Sequence, residues 1–357
     1  MYQGKRRSLS EFSPIEAGTG EPPPEVLLSF LMVKKGIPFV PREFTEINAC
    51  PVCLWPAPHS GVWERGGFQF AWCAACTALF MNPAPTEAEL LRYYGGHYWE
   101  STNSDRAKVY RFEKQFRRAV LFAAELEKAG VAKGGRVLEI GSGYGGVVWA
   151  LGQLLEMKPY AVELDPGARE FQKLLGVTIF NSETVMRKPE TDGFDVVVLS
   201  HVLEHQLKPR ELVEQAFSLL SSSGIVLIEV PHGHFVVDGG IDHPIVFSRF
   251  ALDRLVRDFA PEVRYRVHNG SENVVLPPKY LLGVARSASE RKSSPVRYRV
   301  PRSLSFFSQS LATKLRNFGP LRGLNYRLSR MLRRKHSLKV RRLFQSLPPG
   351  VLDWLGR

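Results

Sequence analysis

No run of residues constrains this chain more than Arg136-Val-Leu-Glu-Ile-Gly-Ser-Gly-Tyr-Gly-Gly146. A short apolar run ends in a glycine-rich turn and passes directly into Val147-Val-Trp-Ala-Leu151, which reads as a helix. Strand, turn and helix in that order open a nucleotide-binding α/β unit. A side chain in the turn would hold a ligand away from the backbone, and the helix N-terminus behind it offers free N–H groups. The spacing leaves the ligand open, because Gly141, Gly143 and Gly146 also satisfy the dinucleotide pattern.

Glu139 narrows the choice. It sits two residues before Gly141, at the carboxyl end of the predicted strand, where it would repel a pyrophosphate and attract an amino group or a sulfonium. S-adenosylmethionine carries both an amino group and a sulfonium, and NAD is not such a ligand. Pro159-Tyr-Ala-Val-Glu163 is a second predicted strand, and its terminal acid lies 22 residues beyond Gly141, the distance at which such folds place a ribose ligand. Asp165-Pro166 then caps a helix that Gly176 ends, and Val177–Phe180 is a third strand with Asn181, Ser182 and Glu183 placed to meet an adenine edge. Phe194–Ser200 is apolar almost throughout, as a strand covered on both faces must be. His201-Val-Leu-Glu-His205 follows it, then a helix from Pro209 to Leu220, a turn over Ser221–Gly224 and a fifth strand Ile225–Val230. This alternation predicts a doubly wound sheet with its ligands at the carboxyl ends of the strands. A helix over Phe250–Phe259 and strands over Val263–Val267 and Lys279–Ala285 close it.

All four cysteines fall in one window, as Cys50-Pro-Val-Cys53 and Cys73-Ala-Ala-Cys76 with 19 residues between the pairs. That is the spacing of a structural zinc site, and four thiolates leave no open position for a substrate. The alternative, a disulfide pairing, suits a secreted chain better than one without a secretory signal. Asn82-Pro-Ala-Pro85 leads out of the module, and Thr86 with Glu89 forms a capping box for a helix from Glu87 to about Tyr94. Tyr93, Tyr94, His97, Tyr98 and Trp99 form an aromatic cluster that reads as packing between module and main domain, with substrate contact as the alternative. Val109, Phe112, Phe116, Ala119 and Ala123 recur at helical spacing between Asp105 and Ala129.

Charge separates the ends of the chain. Residues 291–357 hold 17 Lys or Arg and one acid, so they carry +16 of the net +13 and the rest of the chain carries −3. The tail intersperses Leu, Phe and Tyr with these cations, which predicts a basic amphipathic helix that could dock on an anionic membrane surface, or a helical appendage whose charges are merely solvated. Nucleic acid is the poorer partner, because the cysteine pairs lack flanking basic residues. No apolar run reaches the length of a membrane span, and the start of the chain lacks a secretory pattern, so the expectation is a soluble, cytoplasmic protein, peripheral to a membrane at most. Residues 1–24 read as a mobile arm.

Together these motifs resemble a class I S-adenosylmethionine-dependent methyltransferase of the bacterial group with an N-terminal zinc-binding module, which includes nucleotide-sugar C-methyltransferases. The resemblance spans about Ala49 to Ala285 and rests on the two cysteine pairs, Asn82-Pro-Ala-Pro85, Leu138–Gly146, Val162-Glu163, Phe194–Val198, His201–His205 and Glu229-Val-Pro231. The tail after about Ser287 matches no part of that group. The resemblance implies a methionine cradle at the glycine turn, a ribose contact at Glu163 and a substrate-facing segment at His201–His205. The candidate cofactor residues are therefore Glu139, Gly141, Ser142, Gly143, Tyr144, Gly145, Glu163, Asn181, Ser200 and His201, and the candidate zinc ligands are Cys50, Cys53, Cys73 and Cys76. Methyl transfer to carbon or oxygen also needs a proton acceptor. His201, His205, His232, His234 and His243 lie on the carboxyl edge, with His205, His232 and His243 preferred in that order. For each, a loop histidine bonded to a backbone carbonyl is the alternative. The expected layout is an arm over 1–45, a zinc-binding module over 46–85, a methyltransferase domain over 86–287 and a basic helical extension over 288–357. The expected acceptor is a sugar, a glycan precursor or a secondary metabolite. Two other readings remain at this stage: a non-catalytic cofactor-fold protein that binds nucleic acid or membrane through its module and tail, and NAD-dependent redox chemistry.

Overall fold

The computed structural model describes residues 39–56, 60–65, 67–94, 105–180, 193–233, 240–270, 278–286 and 338–354. The centre is a seven-stranded sheet of mixed α/β type. Its strands are β6 (Arg136–Ile140), β7 (Lys158–Val162), β8 (Thr178–Phe180), β9 (Phe194–Ser200), β10 (Leu220–Pro231), β12 (Glu262–His268) and β13 (Tyr280–Arg286), in the order β12-β13-β10-β9-β6-β7-β8. The five strands from β10 to β8 are parallel, and β13 and β12 add antiparallel at one edge. The order reverses between β6 and β9, which opens a crevice at their carboxyl ends.

Strand residues alternate between two cores. Val196 and Val198 of β9 face one side with α2 (Asp105–Lys128), α3 (Gly146–Leu155) and α4 (Pro166–Leu174). Val197 and Leu199 face the other with α5 (Pro209–Ser218) and α6 (Arg249–Val256). The helical stripe of α2 is buried at Phe112, Phe116, Ala119 and Ala123, as its spacing predicts, and the side chain of Val109 lies outside the described residues. The predicted turn over Ser221–Gly224 is instead an irregularity inside β10: Leu220 already pairs with Phe194, and the register shifts before Ile225 pairs with Val196. A Cβ at Gly224 would lie 2.8 Å from the Phe194 carbonyl oxygen, so a bulge this tight requires glycine.

The cysteine module is built from β2 (Ser60–Arg65), β3 (Phe68–Trp72) and β4 (Leu79–Met81). Its sheet has a fourth member that the layout by sequence missed. Ile245–Val246 (β11) pairs antiparallel with Phe80 and Leu79, so a strand from the main domain completes the module. Cys50, Val52, Cys73, Cys76 and Phe80 share one apolar cluster with Leu203, Phe247 and Leu252. The side-chain oxygens of Thr77 and Ser248 lie 2.5 Å apart across the same junction. Within the stretch expected as an arm, Phe44–Thr45 (β1) pairs with Ala84–Pro85 (β5), and the ring of Phe39 packs on that of Tyr93 near α1 (Glu87–Arg92). Residues 1–24 lie outside the described residues.

The described end of the tail is part of the fold. A helix over 338–345 (α7), one over Pro349–Trp354 (α8) and the link between them bury Val340 and Leu343, Val351, and Leu347 respectively in the α2, α3 and α4 core. The ring of Phe344 meets that of Phe116 at 4.9 Å. Lys339, Arg341 and Arg342 point outward and are exposed. The apolar face predicted to dock on a membrane is, over these residues, spent on the protein's own core, because the core offers a larger dry surface at no cost in association. Residues 288–337 lie outside the described residues. Among the described residues no helix is long and apolar enough to cross a membrane.

Candidate functional site

A cavity of about 700 Å³ opens at the carboxyl ends of β6, β7 and β9, where the strand order reverses. Its floor is the glycine turn. Gly141, Gly143 and Gly145 have φ values of 70°, 55° and 73°, a region that favours glycine over any residue with a side chain. A Cβ at Gly141 would meet Val202 Cγ2 at 2.9 Å, and one at Gly145 would meet Gln172 Cγ at 2.8 Å. At these two positions the collision is with the protein's own side chains, not with the space a ligand needs. Gln172, fully buried on α4, donates from Nε2 to Ser142 Oγ at 2.9 Å and to the Gly143 carbonyl, which pins the turn from behind.

Two of the helix amides behind the turn, expected to be free, already have side-chain partners. Gly146 N–H donates to Gln115 Oε1 at 3.2 Å and Val148 N–H to Glu139 Oε2 at 3.0 Å. Glu139 thus lines the cavity while its carboxylate seals the N-terminus of α3, the place where a dinucleotide fold would seat its pyrophosphate. Burial raises the Glu139 carboxyl well above its ordinary value. Glu163 closes the next strand: Oε2 accepts from Gly143 N–H at 2.6 Å, and Oε1 accepts from the N–H groups of Leu164 and Asp165 at 2.8 and 2.9 Å. Burial pushes its carboxyl up against these three donors. Tyr144, Ser142, Ser200 and His201 also border the cavity. Asn181, Ser182 and Glu183 lie outside the described residues.

The opposite wall carries a polar network that the sequence reading missed. Glu229, fully buried on β10, faces Arg118 Nε at 2.9 Å and accepts from Ser200 Oγ at 2.9 Å. Arg118 Nη2 reaches His201 Nε2 at 2.8 Å, and its guanidinium lies over the Tyr280 ring at 4.9 Å. Burial would raise the Glu229 carboxyl, but Arg118 and His201 hold it well below the ordinary carboxylate range. His201 has φ 56°, a strained value for a residue with a side chain, and its backbone N–H donates to the Glu229 carbonyl at 2.9 Å. Burial and Arg118 oppose protonation of its ring, but Glu229 and Glu204 outweigh them and raise its pKa. Its Nδ1 lies 2.9 Å from Glu204 Oε1.

Three of the histidines prove distinct in placement. His205 and His243 both line the cavity, with ring centroids 4.8 Å apart. The carbonyl oxygen of Asp242 contacts His205 Nδ1, and Tyr94 Oη, which donates to the same carbonyl at 2.9 Å, lies 2.8 Å from that nitrogen. A carbonyl only accepts, so this arrangement assigns the ring proton to Nδ1 and leaves Nε2 as the unprotonated nitrogen. Burial, with His243 alongside, lowers the His205 pKa. His232 is buried at the end of β10 and is not among the cavity residues, and His234 lies outside the described residues. Tyr94 therefore belongs to the cavity as well as to the aromatic packing with Tyr93, while His97, Tyr98 and Trp99 lie outside the described residues.

The cysteines converge as their spacing predicts. Cys50 and Cys76 sulfurs are 3.6 Å apart, as are those of Cys53 and Cys73, and all four lie within 4.8 Å of one another. A tetrahedral ion with bonds of about 2.3 Å needs sulfurs about 3.8 Å apart, so the set fits a four-thiolate shell. The two knuckles repeat one backbone pattern. Leu54 N–H donates to the Cys50 carbonyl and Thr77 N–H to the Cys73 carbonyl, both at 2.8 Å, and Leu54 and Thr77 share φ values of 61° and 63°.

Solved structures of similar fold include a Burkholderia thailandensis 1,6-didemethyltoxoflavin-N1-methyltransferase with bound 1,6-didemethyltoxoflavin and S-adenosylhomocysteine, at 19% identity and TM-score 0.43 over 63% of this chain and 97% of that one. A DhpI complex with SAH matches at 19% identity and TM-score 0.43 over 57% of this chain and 100% of the other. A Thermotoga maritima protein described as a possible histamine N-methyltransferase matches at 18% identity and TM-score 0.39 over 54% of this chain and 99% of that chain. No curated protein matches the chain. A family model described as a methyltransferase domain matches residues 109–319, which run from α2 through the whole seven-stranded sheet into the tail and make up more than half of the chain. The chain belongs to the methyltransferase domain family.

Proposed function

We propose that the protein is an S-adenosylmethionine-dependent methyltransferase whose acceptor is a sugar, a glycan precursor or a related secondary metabolite. The observation that carries this reading is the two-ended cavity. At one end the Glu163 carboxylate, fixed by three backbone amides beside the glycine turn, is positioned to accept ribose hydroxyls. At the other end stand His205 and His243. S-adenosylmethionine, when bound, supplies an electrophilic sulfonium methyl. Residues Glu139, Gly141, Ser142, Gly143 and Tyr144 would hold and orient it, with Ser200 and His201 closing the wall between donor and acceptor, while Gly145 is not among the cavity residues and would only shape the turn. His205, neutral and with Nε2 unprotonated, and His243 are the groups proposed to handle the proton of the acceptor's nucleophile. His232 drops out of this role because it is not part of the cavity wall. Cys50, Cys53, Cys73 and Cys76 are proposed to hold a structural zinc ion, since four sulfurs complete its shell.

Calorimetric titration with S-adenosylmethionine tests the reading. One molecule should bind per chain, and Glu163→Ala should weaken binding about ten- to hundredfold, the loss of hydrogen bonds to a charged acceptor. No binding to the folded protein, or binding indifferent to Glu163→Ala, overturns it.

A further inference from the structure

The acceptor end of the cavity holds one more arrangement. Glu204 and His205 sit on a single 3-10 turn, Leu203–His205, directly after β9, and His243 reaches the same point from the segment that leads into β11. Ring nitrogens of the two histidines and a carboxylate oxygen of Glu204 lie within 4.8 Å of one another. Glu204 is only 1% exposed. Its Oε1 takes His201, but its Oε2 is buried and lacks a hydrogen-bond partner. Buried carboxylate oxygens are almost always satisfied, so an orphan on a carboxylate that stands beside two imidazoles is a place for an ion or a water to complete.

We infer that Glu204, His205 and His243 form a binding site for a divalent first-row transition metal ion, separate from the four-cysteine site and facing the acceptor. Two imidazoles and one carboxylate on one side of an ion, with open positions opposite, are a known donor set for such metals. Metal–ligand bonds of about 2.1 Å place neighbouring ligand atoms about 3.0 to 3.5 Å apart, so three groups already within 4.8 Å of one another would have to draw in to hold an ion. The supports around them match a metal site too. The Asp242 carbonyl takes the Nδ1 proton of His205 and Tyr94 buttresses it, leaving Nε2 to bind, while His201 fixes Glu204 from behind. Arg118, a cation of the same cavity, is already held by Glu229. The open coordination positions would face the cavity, where an oxygen of the acceptor could complete the shell. This inference rests on the proposed methyl transfer only for the position of the acceptor, and it replaces the proton-accepting role of His205 and His243: with their ring nitrogens on an ion, the ion would instead acidify an acceptor hydroxyl bound to it, and solvent would take the proton.

The test uses the full-length protein with its cysteine site loaded with zinc, titrated with Mn²⁺ in the absence of cofactor and acceptor, with free Mn²⁺ followed by electron paramagnetic resonance. One Mn²⁺ should bind per chain, and Glu204→Gln and His243→Ala should each weaken binding by at least about tenfold. Thermal unfolding and S-adenosylmethionine titration of both variants show that they remain folded. Absence of Mn²⁺ uptake at millimolar concentrations, or uptake unchanged in both variants, overturns the site. A protein that binds S-adenosylmethionine but no Mn²⁺ overturns the metal site and leaves the methyltransferase reading standing. The converse result does the opposite.

Discussion

Gly141→Ala separates two reasons for a glycine that the sequence alone cannot tell apart. If the position is kept bare for a ligand, alanine should weaken cofactor binding and leave the empty protein as stable as before. The structure says otherwise. Alanine at φ 70° costs about 1 to 2 kcal/mol for a left-handed backbone. Its Cβ would also meet Val202 Cγ2 at 2.9 Å, and valine is stiff at χ1, so the overpacking adds about 1 to 3 kcal/mol. The variant should therefore lose about 2 to 5 kcal/mol in urea unfolding without any ligand. Val202→Ala in the same chain removes the 2.9 Å contact, though not the Cβ of residue 202 at 3.2 Å nor the backbone cost, so the double-mutant cycle should show a favourable coupling of about 1 to 3 kcal/mol. If the two substitutions add within about 0.5 kcal/mol, or if Gly141→Ala unfolds at the wild-type urea midpoint, the packing argument is wrong and the ligand-approach argument is restored.

Leu343→Ala in α7 should cost about 2 to 5 kcal/mol in the same assay, whereas Lys339→Gln should shift it by less than about 0.5 kcal/mol; equal, negligible effects would return the tail to a solvated appendage. Glu229→Gln leaves Arg118 buried without its counter-charge and should cost about 3 kcal/mol or more at neutral pH. Because the Glu229 pKa is depressed on folding, its contribution is present above the unfolded value near about 4.3 and is lost as pH falls below it. The gap between wild type and variant should narrow by about 1.4 kcal/mol per pH unit there, and a gap at pH 3 as wide as at pH 7 contradicts the assignment. Removing the ion proposed for the four cysteines with a strong chelator should release one zinc per chain and lower the melting temperature of the whole protein in one transition; a separate low-temperature step would show that the module unfolds alone.

Much of the frame was legible because local rules and tertiary structure agree. The apolar run of β9, the acid at the end of β7, the Thr86 cap on Glu89 N–H and the two cysteine pairs each stand where their chemistry predicts. What escaped depends on partners far away in sequence. Arg118 and Glu229 lie 111 residues apart, and neither carries a local sign of the other. Ile245-Val246 is too short to announce a strand and becomes one only against β4. Tyr94 is assigned to packing by its neighbours and to the cavity only by His205. The tail differs, since its signal was present. Val340, Leu343, Leu347 and Val351 repeat at helical spacing, but the charge of the segment drew attention to its outer face.

The shared sheet has a consequence for how this enzyme can be taken apart. The chain leaves the cysteine module after Pro85 and returns 160 residues later to lay Ile245 against Phe80, with His243 two positions before that rung and Met81 N–H tied to the Pro244 carbonyl at 2.8 Å. The knuckles are thus an abutment on which one wall of the reaction chamber is set. A shortened protein beginning at residue 86 would forfeit that footing, because β11 would have no β4 to pair with.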